Sequence, residues 1–233
     1  HHTNNASIGP KGHLTLIEKD DRLIPILEEK FKKELESGVL DVVHKDILEV
    51  FESGELSKNP YLSSLNDAST SKSYKVIANI PYYITGAIMR GVFELPNQPE
   101  KVVLLVQKEV ADRIVALDGK ESILSASVKF YGTPRRVAVV PKGAFSPAPS
   151  VDSAIICIDD IQKHGIDGKN LEKAFFEIIK SAFAHKRKLL IKNLSEKIPA
   201  DWRKIFTDEN IDLKARAEDI STEKYIAITK HLI

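Results

Sequence analysis

The run Asn79-Ile80-Pro81-Tyr82 follows a short apolar stretch, Val76-Ile77-Ala78, and leads into Tyr83-Ile84-Thr85-Gly86. At the end of a buried strand, these residue types suit the grip of a planar nucleobase by its amino group. The side-chain carbonyl of Asn79 and a neighbouring main-chain carbonyl both accept hydrogen bonds, while Pro81 has a fixed φ and no competing N–H. Tyr82 offers a ring for stacking, a contact that contributes roughly 1–3 kcal/mol in single-stranded recognition. An exocyclic amine conjugated with its ring is a poor nucleophile. Two acceptors around it favour a more tetrahedral nitrogen whose lone pair faces a methyl donor, so the chemistry that fits is methyl transfer onto the exocyclic nitrogen of adenine. No strong general base is needed, because the proton can leave to solvent once the nitrogen is cationic. Taken alone, the four residues read equally well as a strand-to-loop turn with a tyrosine in the core.

Other segments add to this reading. Ile8-Gly9-Pro10-Lys11-Gly12-His13 resembles a glycine-rich turn, in which Gly9 and Gly12 would let a cofactor approach the backbone, although no strand precedes it. Glu18 ends the stretch Leu16-Ile17-Glu18, and an acid at a strand's end can bind both ribose hydroxyls of a nucleoside cofactor; alone it is an ordinary surface acid. His44-Lys45-Asp46-Ile47 follows the apolar run 39–43. Asp46, with Ile47 beside it, is therefore a candidate contact for a cofactor adenine, the bland alternative being an Asx turn or helix cap. Phe145 opens Phe145-Ser146-Pro147-Ala148-Pro149-Ser150-Val151-Asp152-Ser153, where two prolines stiffen the connection between two strand candidates. It suits a second aromatic wall for a flipped-out base, or a hydrophobic staple under a loop.

The elements that must position these residues follow from pattern. Strands are expected at 39–43, 75–79, 101–107, 136–140 and 153–158, and helices at 23–33 and 108–116, an alternation that implies a mostly parallel sheet covered by helices. From about residue 168 the pattern becomes helical, with Leu171, Phe175, Ile178, Ile179 and Ala182 on one stripe and further helices around 200–206 and 222–231. The expected division is 3–160 and 168–233, joined by a polar linker at 159–168. Residues 57–73 hold six serines, two asparagines and a proline, and read as a long surface loop. Trp202 is expected in the helical core.

With 233 residues, 42% apolar and 29% charged, the composition is that of a globular protein, and no run reaches the length of a membrane span. His1-His2 read as a tag remnant. The single cysteine, Cys157, excludes an intramolecular disulfide and a multi-cysteine metal site; it sits in an apolar strand and suits a buried small side chain in a cytoplasmic protein. No metal site is expected. A formal net charge of +1 says little, but the charges are unevenly placed. His185, Lys186, Arg187, Lys188 and Lys192 form a basic segment, with Arg113, Arg135 and Arg136 before it, and together they suit a phosphate-tracking surface; any such run alone is more often a solvated face.

Taken together, these segments resemble the ribosomal RNA adenine dimethyltransferase family, of the KsgA type, with the Erm methyltransferases as relatives. The most specific pieces are Asn79-Ile80-Pro81-Tyr82, residues 105–113 (Leu-Val-Gln-Lys-Glu-Val-Ala-Asp-Arg), residues 145–153, and Arg216-Ala217-Glu218-Asp219-Ile220-Ser221. The last two, with the basic segment, favour the KsgA type. The resemblance implies an α/β, Rossmann-like methyltransferase sheet with a small all-helical C-terminal domain contributing to RNA binding. It implies S-adenosylmethionine as donor, and two adjacent adenines in the 3′-terminal hairpin of small-subunit rRNA, in the assembling 30S subunit, as substrate of a monomeric cytoplasmic enzyme. By the same resemblance Asn79, Ile80, Pro81 and Tyr82 form the target-base site with Phe145 opposite. Gly9, Gly12, Glu18, Asp46, Ile47 and Asn79 face the cofactor.

The N-terminal part departs from that pattern. The glycine-rich turn is one glycine short, and Leu16 abuts Ile17 where a helix and a strand should intervene; a parallel crossover needs about a dozen residues. This predicts a sequence joined from pieces of a longer chain of about 260 or more residues. Breaks are expected at Ile8–Gly9, Pro10–Lys11 and Leu16–Ile17. Two other readings stay open: an Erm-type enzyme of the large subunit, and a ribosome-assembly binding factor whose catalysis is secondary or lost.

Overall fold

The structure, a computed structural model, describes residues 12–52, 62–67, 73–161, 168–195 and 202–233. They fall into two compact units, one of residues up to 72 together with 90–97, the other of 73–89 and 98–233.

In the first unit, β1 (Leu14–Glu18) and β2 (Leu40–His44) pair in parallel, Leu14 opposite Leu40 and Glu18 opposite His44. The connection carries α1 (Ile24–Lys30), which starts with proline in its first turn, and α2 (Lys32–Glu36). The expected helix at 23–33 is thus two short helices hinged at Phe31. After β2, α3 (Ile47–Glu52) buries Val50 against Leu62 and Leu95, with Ile17, Val43, Ile47, Phe51 and Leu65 around them. Leu62 and the 3₁₀ turn Ser63–Asn66 lie inside the segment expected as a surface loop; its two leucines draw that part into the core. Gly91 belongs to the same packing, since a Cβ there would stand 2.2 Å from the Phe51 ring.

In the second unit the hydrogen-bonded order is β3-β4-β6-β5, with β3 at Lys75–Asn79, β4 at Lys101–Gln107, β5 at Thr133–Val140 and β6 at Ser153–Asp159. β3 pairs in parallel with β4, and β6 runs against both β4 and β5. The parallel majority follows from helical crossovers: α4 (Thr85–Glu94), whose last residues count with the first unit, α5 (Lys108–Val115) and α6 (Ile123–Tyr131). Between β5 and β6 there is only a 3₁₀ turn and a proline-rich stretch, too little for a crossover, so β6 returns antiparallel. A capping box between Ser122 and Ser125 starts α6.

Two expectations change. Among the described residues the strands form two separate ladders, β1-β2 in one unit and β3-β4-β6-β5 in the other. The break expected at Leu16–Ile17 is not found: both residues lie within β1, opposite Val42 and Val43, whereas the other two junctions lie outside the described residues.

The helices α7 (Gly168–Ala182), α8 (Leu190–Leu194), α9 (Trp202–Asp208) and α10 (Thr222–Lys230) follow, with no strand among the described residues there. They belong to the same compact unit as the four-stranded sheet. The predicted stripe of α7 is buried throughout, and Phe175 stacks on Phe130 of α6 with centroids 4.3 Å apart. Residues 216–221 act as a clasp: Asp219 pairs with Lys120, the Glu218 carbonyl accepts from Glu121 N–H at 2.9 Å, and the buried Tyr225 hydroxyl donates to the Ala217 carbonyl at 2.8 Å. Trp202 is only half-buried, edge-on to Phe206 and covered by Arg203. Cys157 is buried, as expected of a small apolar position.

Candidate active site

Asn79 closes β3 at the carboxyl edge of the parallel strands, the edge where α/β sheets bind ligands. It is exposed, and its side chain makes no hydrogen bond among the described residues. Ile80 is 6% exposed, so its side chain is core. Pro81 stands extended (φ −56°, ψ 135°) and caps the 3₁₀ turn Tyr82–Ile84, which runs directly into α4. Buried Thr85 ties the turn by donating to the Tyr82 carbonyl at 3.1 Å.

The half-buried Tyr82 ring is held at its far end: its hydroxyl lies 2.7 Å from Oγ of Ser153, a fully buried residue at the start of β6. Asp152, one residue earlier, joins two more segments, its carbonyl accepting from Lys108 N–H at 3.0 Å and its carboxylate from Lys142 N–H at 2.9 Å. The latter bond closes the loop that carries half-buried Phe145. Three stretches singled out in the sequence, around 79, 108 and 145, thus meet at Asp152 and Ser153. Sequence reasoning gave Ser153 no role; its place beside a turn-forming aspartate was the available signal.

In the other unit, Glu18 ends β1 and Asp46 follows β2, both at the carboxyl ends of adjacent parallel strands. Glu18 Oε1 accepts from the main-chain N–H of Lys19 at 2.7 Å and of Asp20 at 2.8 Å. Asp46 accepts from Leu48 N–H at 2.9 Å, which makes it a helix cap on α3, and pairs with Lys19 at 3.3 Å. The Leu48 bond, with Lys19 beside it, lowers the Asp46 carboxyl from its ordinary range. The Ile47 side chain packs into the core, leaving its main chain for any ligand contact.

For the nucleoside part of the implied donor, S-adenosylmethionine, the residues fit: Glu18 keeps Oε2 for ribose hydroxyls, and Asp46 stands one strand away for an adenine amine. The glycine turn does not fit. Gly12 precedes β1, so it lies at the amino edge, a strand's length of roughly 20 Å from Glu18. Gly9 lies outside the described residues.

The basic candidates divide. Lys186, Arg187, Lys188 and Lys192 are exposed and make no ion pair among the described residues; the first three lie between α7 and α8 and Lys192 in α8, whose Asn193 donates back to the carbonyls of Ala182 at 2.6 Å and His185 at 3.1 Å. His185 and Arg113 are also exposed. Arg135 instead binds Asp159 at 2.9 Å, at the amino edge of the parallel strands, away from Asn79. Arg136 pairs with Asp112 of α5. Among the described residues, no group of three or more potential metal ligands occurs.

Two solved structures share the fold: the 23S rRNA methyltransferase ErmE (TM-score 0.71, 22% identity, 94% of this chain and 82% of that one) and a dimethyladenosine transferase from Plasmodium falciparum (TM-score 0.67, 20% identity, 93% and 80%). The fold is therefore Rossmann-like, of the methyltransferase kind. Ribosomal RNA small subunit methyltransferase A of Dehalococcoides mccartyi is 38% identical over 217 residues, 92% of this chain and 69% of the relative. The proteins of the same name from Fusobacterium nucleatum and Bacillus pumilus are 35% and 32% identical, over 93% and 94% of this chain and 77% and 74% of theirs. Residues 9–233 match the family described as ribosomal RNA adenine dimethylase. With a match that spans nearly the whole chain, the protein belongs to the ribosomal RNA adenine dimethylase family.

Proposed function

We propose that this chain dimethylates the N6 amines of two adjacent adenines in the 3′-terminal hairpin of small-subunit rRNA during ribosome assembly, with S-adenosylmethionine as donor. The observation that carries the reading is the pairing of an exposed, unbonded Asn79 amide with a Tyr82 ring fixed by Ser153. Asn79 Oδ1 and the main-chain carbonyl of Ile80 or Pro81 accept from the adenine amine, Tyr82 stacks on the base, and Phe145 covers its other face. Glu18 and Asp46 hold the donor's ribose and adenine. When bound, the donor supplies a methyl group already activated on a sulfonium. Water at exposed Asn79 takes the proton from the methylated nitrogen, so no buried base is required. Lys186, Arg187, Lys188 and Lys192, in the helical segment 168–233, track the rRNA phosphates.

Incorporation of labelled methyl groups into unmethylated small subunits, lost in Asn79→Ala, tests this reading. Label found only in large-subunit RNA would transfer the activity to the Erm type.

The position of Gly12 favours a second reading, a ribosome-assembly binding factor in which methylation is secondary. It predicts that Glu18→Ala removes methylation and leaves subunit binding unchanged.

A further inference from the structure

Directly after Tyr82 comes a second tyrosine with the opposite situation. Tyr83 is 80% exposed, the most exposed large hydrophobic side chain among the described residues, and makes no hydrogen bond or ring contact there. Both belong to the 3₁₀ turn Tyr82–Ile84, in which successive side chains diverge by about 120°. With one phenol tied to Ser153, the two rings cannot sandwich one base. Three residues on from Tyr83, the spacing of neighbours on one helical face, stands Gly86, the second residue of α4. A Cβ built on Gly86 meets nothing within 4 Å, so a side chain there would enter open space. Leucine or alanine would serve the helix better than glycine.

We propose that Tyr83 is a second stacking platform, which takes the unpaired nucleobase next to the one held at Asn79 and Tyr82, with Gly86 keeping its ring face open. The inference rests on the proposed RNA-adenine reading and deepens it. A base swung out of its strand leaves its neighbour unstacked on one side, and an aromatic face one residue along the protein chain replaces that lost stack without reading sequence. The ligand class is a single-stranded ribonucleotide flanking the target adenine.

The test compares Tyr83→Ala, Tyr83→Phe and Gly86→Leu with the unsubstituted protein in methylation of unmethylated small subunits. Tyr83→Ala is expected to raise KM for the subunit about ten-fold with kcat within two-fold, and Tyr83→Phe to behave like the parent, since stacking needs the ring and not the hydroxyl. On this proposal Gly86→Leu should copy Tyr83→Ala, and the fold should keep its Tm because the new side chain enters open space. An unchanged KM in Tyr83→Ala overturns the proposal, as does a Tyr83→Phe as weak as Tyr83→Ala. A binding readout is independent of catalysis. Fluorescence of Tyr83→Trp should be quenched by an unpaired adenine-containing oligoribonucleotide, measured against the background from Trp202, the chain's one tryptophan. Quenching with a protein that methylates nothing would sink the enzymatic reading and keep the platform; methylation without quenching would do the reverse.

Discussion

The hydroxyl of Tyr82 and Oγ of Ser153 lie 2.7 Å apart, which links the turn at the end of β3 to the first residue of β6. Ser153 is fully buried, so the bond anchors the ring by its hydroxyl without occupying its face. Tyr82→Phe and Ser153→Ala should each lower kcat several-fold, and the double variant should be no worse than either. A double-mutant cycle on kcat should give a coupling of about 1 kcal/mol. Additive losses would show that the two side chains act separately.

Asn79→Ala should abolish methyl transfer, with a loss of at least about 100-fold in kcat, since it removes an acceptor used at the reacting nitrogen. The exposed, unbonded side chain carries little stability, so thermal unfolding should shift by no more than about 2 °C. A large drop in Tm would reassign Asn79 to the fold.

Glu18→Gln should weaken S-adenosylmethionine binding by about ten-fold or more, as a charge-assisted pair of bonds to ribose becomes a neutral one. The amide oxygen can still accept from Lys19 and Asp20, so the turn after β1 should survive. Calorimetric titration with the donor decides it; equal affinity would remove Glu18 from the donor site.

Replacing Lys186, Arg187, Lys188 and Lys192 together by glutamine should flatten the dependence of log K for single-stranded RNA on log salt. At about 0.7 per phosphate the slope should fall by up to roughly 3. Arg135→Gln should leave the slope alone, because its guanidinium is committed to Asp159. A slope that ignores the loop and responds to Arg135 would reverse the assignment.

Lys101 and Arg135 hold the Asp159 carboxyl down to about 2. A carboxylate with a depressed folded-state pKa adds stability above its unfolded value, and that contribution disappears as pH falls through the folded one. Asp159→Asn should therefore lower Tm by roughly 2–4 °C at pH 7, and the gap should stay constant to about pH 4.5 and close near pH 2. A gap that persists at about pH 2 would mean that packing, not charge, accounts for the loss.

The sequence by itself determined the local parts. The limits of β3, β4 and α5, the buried stripe of α7 and the buried state of Cys157 all follow from periodicity and side-chain type, which act over a few neighbours. Asn79, Glu18 and Asp46 stand at or beside strand ends, where a local apolar run and a side-chain type are enough to single out a candidate.

Tertiary structure alone decided what each side chain touches. The bond from Tyr82 to Ser153 spans 71 positions, and the commitment of Arg135 and Arg136 to Asp159 and Asp112 spans 24 each, distances at which no local pattern carries information. The clasp of residues 216–221 on Lys120 and Glu121 is of the same kind. So is the placing of Gly12 at the amino edge: a glycine-rich turn looks the same in sequence at either end of a strand, and only the direction of β1 against β2 tells which edge it occupies.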